Sequence, residues 1–168
     1  MRTTQLLALA VLISACGSGH DAASADRAGD DSAFAALQER GAAAGGMGVD
    51  QYASTHLFDD LPDGGRIELQ DAIGDEAAVE WIRKHMQQIA QAFASGDFSI
   101  PGFVHAMDVV PGTRVMAERG EVIEYRYVQL PRGGEVRIQT ADSAALPAIH
   151  EFLAFQRLDH RAMGHDMH

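Results

Sequence analysis

Along EVIEYRYVQ, residues 121 to 129, Ile123, Tyr125 and Tyr127 alternate with Glu124 and Arg126. That two-residue period predicts a strand with one buried and one wet face. Pro131 and the pair Gly133 and Gly134 then mark a hairpin turn, because Pro fixes φ and Gly accepts the positive φ that a tight turn needs. A second strand follows, with Val136 and Ile138 on one face and Glu135, Arg137 and Gln139 on the other. From about 143 to 161 the rhythm becomes helical: Ile149, Leu153, Gln156 and His160 fall on one line, with Phe152 beside it. Pro147 fits only the first turn, so this helix is expected to begin late.

The same order of signals occurs earlier in the chain. LPDGGRIELQ, 61 to 70, matches LPRGGEVRIQ, 130 to 139, in its Leu, its Pro, both glycines and its final Gln. Ile67 and Leu69 form the apolar face of the earlier strand, and Arg66, Glu68 and Gln70 the polar one. A helix expected over about 75 to 95 carries Val79, Ile82, Met86, Ile89 and Phe93 on one stripe and stops at Gly96. The register of the two helices is kept if two residues are dropped from the second copy. An internal duplication follows, and with it the fold class: α+β, a duplicated ββα unit forming a four-stranded antiparallel sheet with two helices on one face. By the repeat, YASTHLFDD before the first turn is also a strand, with His56 in the place of Tyr125 and Phe58 in that of Tyr127, which points His56 inward. His85, beside Lys84, is expected at a solvated helix edge. The connector 98 to 120 has no second copy; a short helix around 113 to 118 is expected within it, because long structureless loops are rare in compact domains.

The N-terminus follows a different pattern. MRTTQLLALAVLISA, residues 1 to 15, has a basic start at Arg2, a short apolar run and small residues before a cysteine, the order of an export signal. The run is shorter than the roughly 20 apolar residues that span a bilayer. Ile13, Ser14, Ala15 and Cys16 resemble the lipobox of bacterial lipoproteins. The resemblance implies cleavage before Cys16, its lipidation, and anchoring by acyl chains on the periplasmic side of the cell envelope. Gly17 after the cysteine resembles the outer-membrane sorting case. The residues from there to about 50 are dominated by Gly, Ala, Ser and Asp and read as a tether, with a brief helix through Phe34, Leu37 and Gln38 as an option. The domains are therefore a signal peptide (1 to 15), a tether (16 to 50), the duplicated body (51 to 161) and a tail (162 to 168). The body resembles exported bacterial proteins of unknown role that share the GG hairpins and a terminal HEFLxFQ helix, here His150 to Gln156, and that resemblance implies no activity.

Charge and composition narrow the chemistry. Acidic residues outnumber basic ones 24 to 13, for a formal charge of −11, which argues against a nucleic-acid partner. Cys16 is the only cysteine, so the body has no disulfide, thiol nucleophile or thiolate metal site. No nucleophile elbow or phosphate loop is present, and an enzyme is the less favoured reading. What remains is imidazole and thioether: His56, His105, Met116 and His150 in the body, then His160, Met163, His165, Met167 and His168 at the end. Thioethers suit Cu(I), and imidazoles suit Cu(II) and Zn(II). The tail resembles the His and Met tracts of periplasmic copper-handling proteins. The expected function is transition-metal binding, copper before zinc, in the cell envelope; the alternative is a non-catalytic interaction module.

Overall fold

The structure is a computed structural model, and it describes residues 19–43, 45, 46, 48 and 53–162. A helix α1 (Gly19–Ala42) comes first and is longer than the brief one expected there, as its alanine content favours. A boundary between Ser32 and Ala33 divides the chain into two units, and the second of them holds the sheet and the remaining helices. The order continues β1 (Ser54–Leu61), β2 (Gly64–Asp71), α2 (Glu76–Ala94), α3 (Ser99–His105), α4 (Thr113–Glu118), β3 (Ile123–Leu130), β4 (Gly133–Thr140) and α5 (Ala145–Asp159). The connector thus holds the helix expected near 113 and a further one, α3. None of the described helices is long and apolar enough to cross a membrane.

The four strands form one antiparallel sheet in the order β1-β2-β4-β3. The two copies therefore meet at β2 and β4. Ile67 faces Val136 across that junction, Gly65 faces Ile138, and Leu69 faces Gly134. Since Ile67 and Val136 are equivalent positions of the repeat, a pseudo-twofold axis passes between them. The domain is built as a closed dimer is built, within one chain.

The helices obey the same symmetry, each lying chiefly across the other copy's hairpin: α2 over β3 and β4, α5 over β1 and β2. Equivalent ties hold them there. Arg83 of α2 donates to the Leu130 carbonyl at 3.0 Å, and His150, its counterpart on α5, to the Leu61 carbonyl at 3.0 Å. The helix starts differ as Pro147 requires. Asp75 caps α2 by accepting from Ala78 N at 2.9 Å, whereas the Asp142 carboxylate accepts from Ala144 N and Ala145 N, and α5 begins at Ala145, later in the repeat than α2.

The positive φ expected of the glycine pairs is found at Gly64 alone, at 143°, and the pairs have a further cause. Each pair opens a strand, and the two turn residues are Pro62 with Asp63 and Pro131 with Arg132. A Cβ on Gly64 would stand 2.0 Å from the Ile138 carbonyl oxygen, and one on Gly133 would stand 2.0 Å from that of Leu69. Gly65 lies directly beneath Leu153, and Gly134 beneath Met86. Side chains there would hold the copies and their helices apart. The core comprises the inward strand residues and both helical stripes, with Ile82, Val136, Ile138, Ile149 and Leu153 fully buried. Burial of each such side chain stabilises by about 1.5–3 kcal/mol.

A candidate imidazole cluster beside an apolar cavity

At the free end of α5, three histidines from three elements come together. His56 of β1 points inward as expected, and its ring stacks on that of His160, with centroids 5.7 Å apart and planes 14° from parallel. His105, the last residue of α3, meets His160 edge to face at 5.0 Å. All three are buried. His85 of α2 is buried as well, which corrects the solvated edge expected for it: it stands three residues after Ile82, on the flank of the stripe that turns inward. These four imidazoles and Gln156 line one wall of a cavity of about 60 Å³. Its remaining wall is apolar, formed chiefly by Phe58, Leu69, Met86, Ile89, Phe93 and Val104.

Burial dominates the electrostatics here. It depresses the pKa of His56 to about 4, with a further push from His85, and that of His85 itself to about 4. His160 falls to about 2, through burial first and then the neighbouring His56 and His105. All three imidazoles are therefore neutral at physiological pH, with a lone pair on one ring nitrogen.

His105 is held differently. Its Nδ1 donates to Asp159 Oδ2 at 2.5 Å, and its Nε2 lies 3.0 Å from the side-chain amide oxygen of Gln156. A carboxylate on Nδ1 fixes the ring and directs Nε2 inward, which is how metal-ligating histidines are commonly oriented. Among the described residues Gln156 Nε2 has no hydrogen-bond partner.

The other residues singled out in the sequence lie elsewhere. His150 Nε2 contacts the carbonyls of Leu61 and Gly64, and Met116 is fully buried in the core away from the cavity wall. Met163, His165, Met167 and His168 of the tail, and Cys16, lie outside the described residues. Among the described residues no group of three or more His, Cys, Asp or Glu side chains is placed to hold a metal ion. Three participants escaped the sequence reading. His85 looked polar beside Arg83 and Lys84, Gln156 looked like a core position, and Asp159 carried no signal. The repeat could have found the first, since His85 occupies the place of the buried Phe152.

In comparisons with known proteins no family model matches this chain, and no curated protein or solved structure matches it either.

Proposed function

We propose that this is a lipid-anchored cell-envelope protein that binds a transition metal, copper foremost, between the imidazoles at the end of α5 and the His and Met donors of the tail. The observation that carries the reading is the meeting of His56, His105 and His160, three of the histidines singled out on chemical grounds, with centroid spacings of 5.0 and 5.7 Å. Metal binding requires unprotonated imidazole, and burial keeps His56 and His160 in that form. The remaining ligands come from the tail, as Met163 and His165 follow His160 within five residues, a reach of at most about 18 Å. Two or three positioned ligands lower the chain entropy that a tail acting alone would lose on closing round an ion. Thioethers from Met163 and Met167 beside imidazoles favour Cu(I) over Zn(II).

The test is competitive titration of the metal-free mature protein, residues 16 to 168, with Cu(I), Cu(II) and Zn(II). Tight Cu(I) binding that falls at least tenfold in a chain ending at residue 162, and again in His160→Phe, is the expected result. If all three ions bind more weakly than about 1 mM, or if neither change matters, the reading fails. The rival, an interaction module, draws on the exposed Phe103, Met107 and Val109 of the connector, and it predicts indifference to both changes. The anchor is tested separately: wild type is expected to incorporate labelled palmitate and Cys16→Ser is not.

A further inference from the structure

We infer that the cavity between α2, α3, α5 and the β1–β2 hairpin is a binding site for a small uncharged molecule, an aliphatic body of three or four carbons ending in one hydroxyl group. The site shares His56, His105 and His160 with the proposed metal centre, but the inference rests on a separate observation. Gln156 is 5% exposed and stands in the cavity wall. One end of its amide is engaged by His105 Nε2 at 3.0 Å, and the other is buried with no partner among the described residues. Rotating the amide by half a turn exchanges its two ends and leaves the other one unsatisfied. A buried amide atom without a partner costs its full desolvation, and native proteins rarely keep one without a reason. A hydroxyl both donates and accepts, so it satisfies Gln156 in either orientation.

Water alone fits the space poorly. A volume of about 60 Å³ has room for several waters at roughly 10–15 Å³ each, but each needs two to four polar partners. Most of the lining, Phe58, Ile89, Phe93 and Val104 among it, offers none. A short alkyl chain is matched to that surface. The size limit follows from the same volume, since apolar cavities that admit benzene are about 150 Å³. The exclusion of charge follows from the surroundings. Among the described residues the lining carries no Lys, Arg, Asp or Glu side chain to pair with a charge, and the Asp159 carboxylate, bound to His105, disfavours an anion.

Ligand-observed NMR on the metal-free mature protein tests this, with butan-1-ol as the probe, butyrate as its charged counterpart and xenon as an apolar one. Butan-1-ol is expected to bind saturably, with a Kd below about 10 mM, and to shift the Gln156 side-chain amide resonances. Gln156→Leu is expected to weaken butan-1-ol at least tenfold while leaving xenon uptake intact. Ile89→Phe, which fills the apolar end, is expected to abolish both and serves as the second probe if Gln156→Leu does not fold. Three results overturn the inference: no saturable binding by wild type, equal affinity in Gln156→Leu, or butyrate binding as tightly as butan-1-ol. Failure of the wild-type protein to bind copper, with butan-1-ol binding retained, overturns the proposed function alone.

Discussion

The two ends of the domain are built on equivalent positions and filled with opposite chemistry. Under α2, Phe93 packs edge-on against Tyr125 at 5.9 Å and Phe152 at 5.8 Å, and Phe98 stacks on it at 4.5 Å. Under α5, the place of Phe93 is taken by His160, that of Tyr125 by His56 and that of Phe152 by His85. The spacing persists through the exchange but the orientation does not: His56 and His160 stack at 5.7 Å with planes 14° apart, where Tyr125 and Phe93 meet at 5.9 Å with planes 75° apart. An imidazole fills less space than a phenyl ring and resists burial more, so the histidine end is the less stable way to close a hairpin with a helix. Fold stability does not account for three imidazoles in aromatic positions. What the difference teaches is that one helix–hairpin junction, drawn from both copies, holds the structure together, while its equivalent carries lone pairs.

The largest test of that division is truncation at the aromatic end. Phe93→Ala is expected to cost about 3–5 kcal/mol of unfolding free energy by urea titration, because it deletes a buried phenyl group and enlarges the cavity that group borders. His160→Ala, at the equivalent position, is expected to cost clearly less. Equal losses would mean that both ends carry the fold alike, and the comparison would break.

Acid separates the ends next. His56, His85 and His160 are held below their ordinary pKa of 6.5, so the unfolded chain takes up protons that the folded one refuses. Their stabilising contribution is therefore fully present above about pH 6.5 and is lost as pH falls from there towards about 4. For His85 alone, folded near pKa 4, the loss amounts to about 2 kcal/mol by pH 5. The urea midpoint of the metal-free protein should fall between pH 7 and 5, and His85→Phe should flatten that slope. A midpoint unchanged between pH 7 and 5 would place the imidazoles in contact with solvent.

Most of the architecture was legible because the repeat is legible. Alternation in 121 to 129 and 134 to 139 set the strand faces, the second hairpin supplied the first by analogy, and the stripe from Val79 to Phe93 is buried throughout. His56 pointing inward came from the same reasoning. Periodicity identifies a helix's apolar face but not the hairpin that receives it, so the exchange of helices between copies was out of reach. The glycine pairs were read only in part for a related reason. A turn and a close approach both select glycine, and only the β2–β4 junction, a contact between residues far apart in sequence, shows which one operates. The imidazole cluster was half legible. The sequence marks the residue types, but His105 and Asp159 meet through a separation of 54 residues that no spacing rule contains.

A double exchange sharpens the comparison further. His56→Tyr with His160→Phe rebuilds at the α5 end the pair found at the α2 end, and stability at pH 7 is expected to hold or to rise by about 1 kcal/mol, with the acid sensitivity reduced. Copper affinity should be lost in the same variant. A well-folded double variant that keeps its copper would show that the tail alone carries the ion.

The smallest effect concerns the two ties that look most alike. Arg83 reaches the carbonyls of Leu130 and Pro131 at 3.0 and 3.1 Å, while His150 reaches those of Leu61 and Gly64 at 3.0 and 2.9 Å. Each pins a helix to the turn of the other copy's hairpin, and each is partly buried, so the net worth of each tie is about 1 kcal/mol. Arg83 also buries an Nε that has no partner among the described residues, which offsets part of its gain. Arg83→Ala is therefore expected to lower the urea midpoint slightly less than His150→Ala, with both below the effect of Phe93→Ala. Neither should alter copper affinity, because each acts at a hairpin turn on the flank of its helix. A loss of copper binding in His150→Ala, with the fold intact, would return that histidine to the ligand set and make the α5 end functional along its whole length.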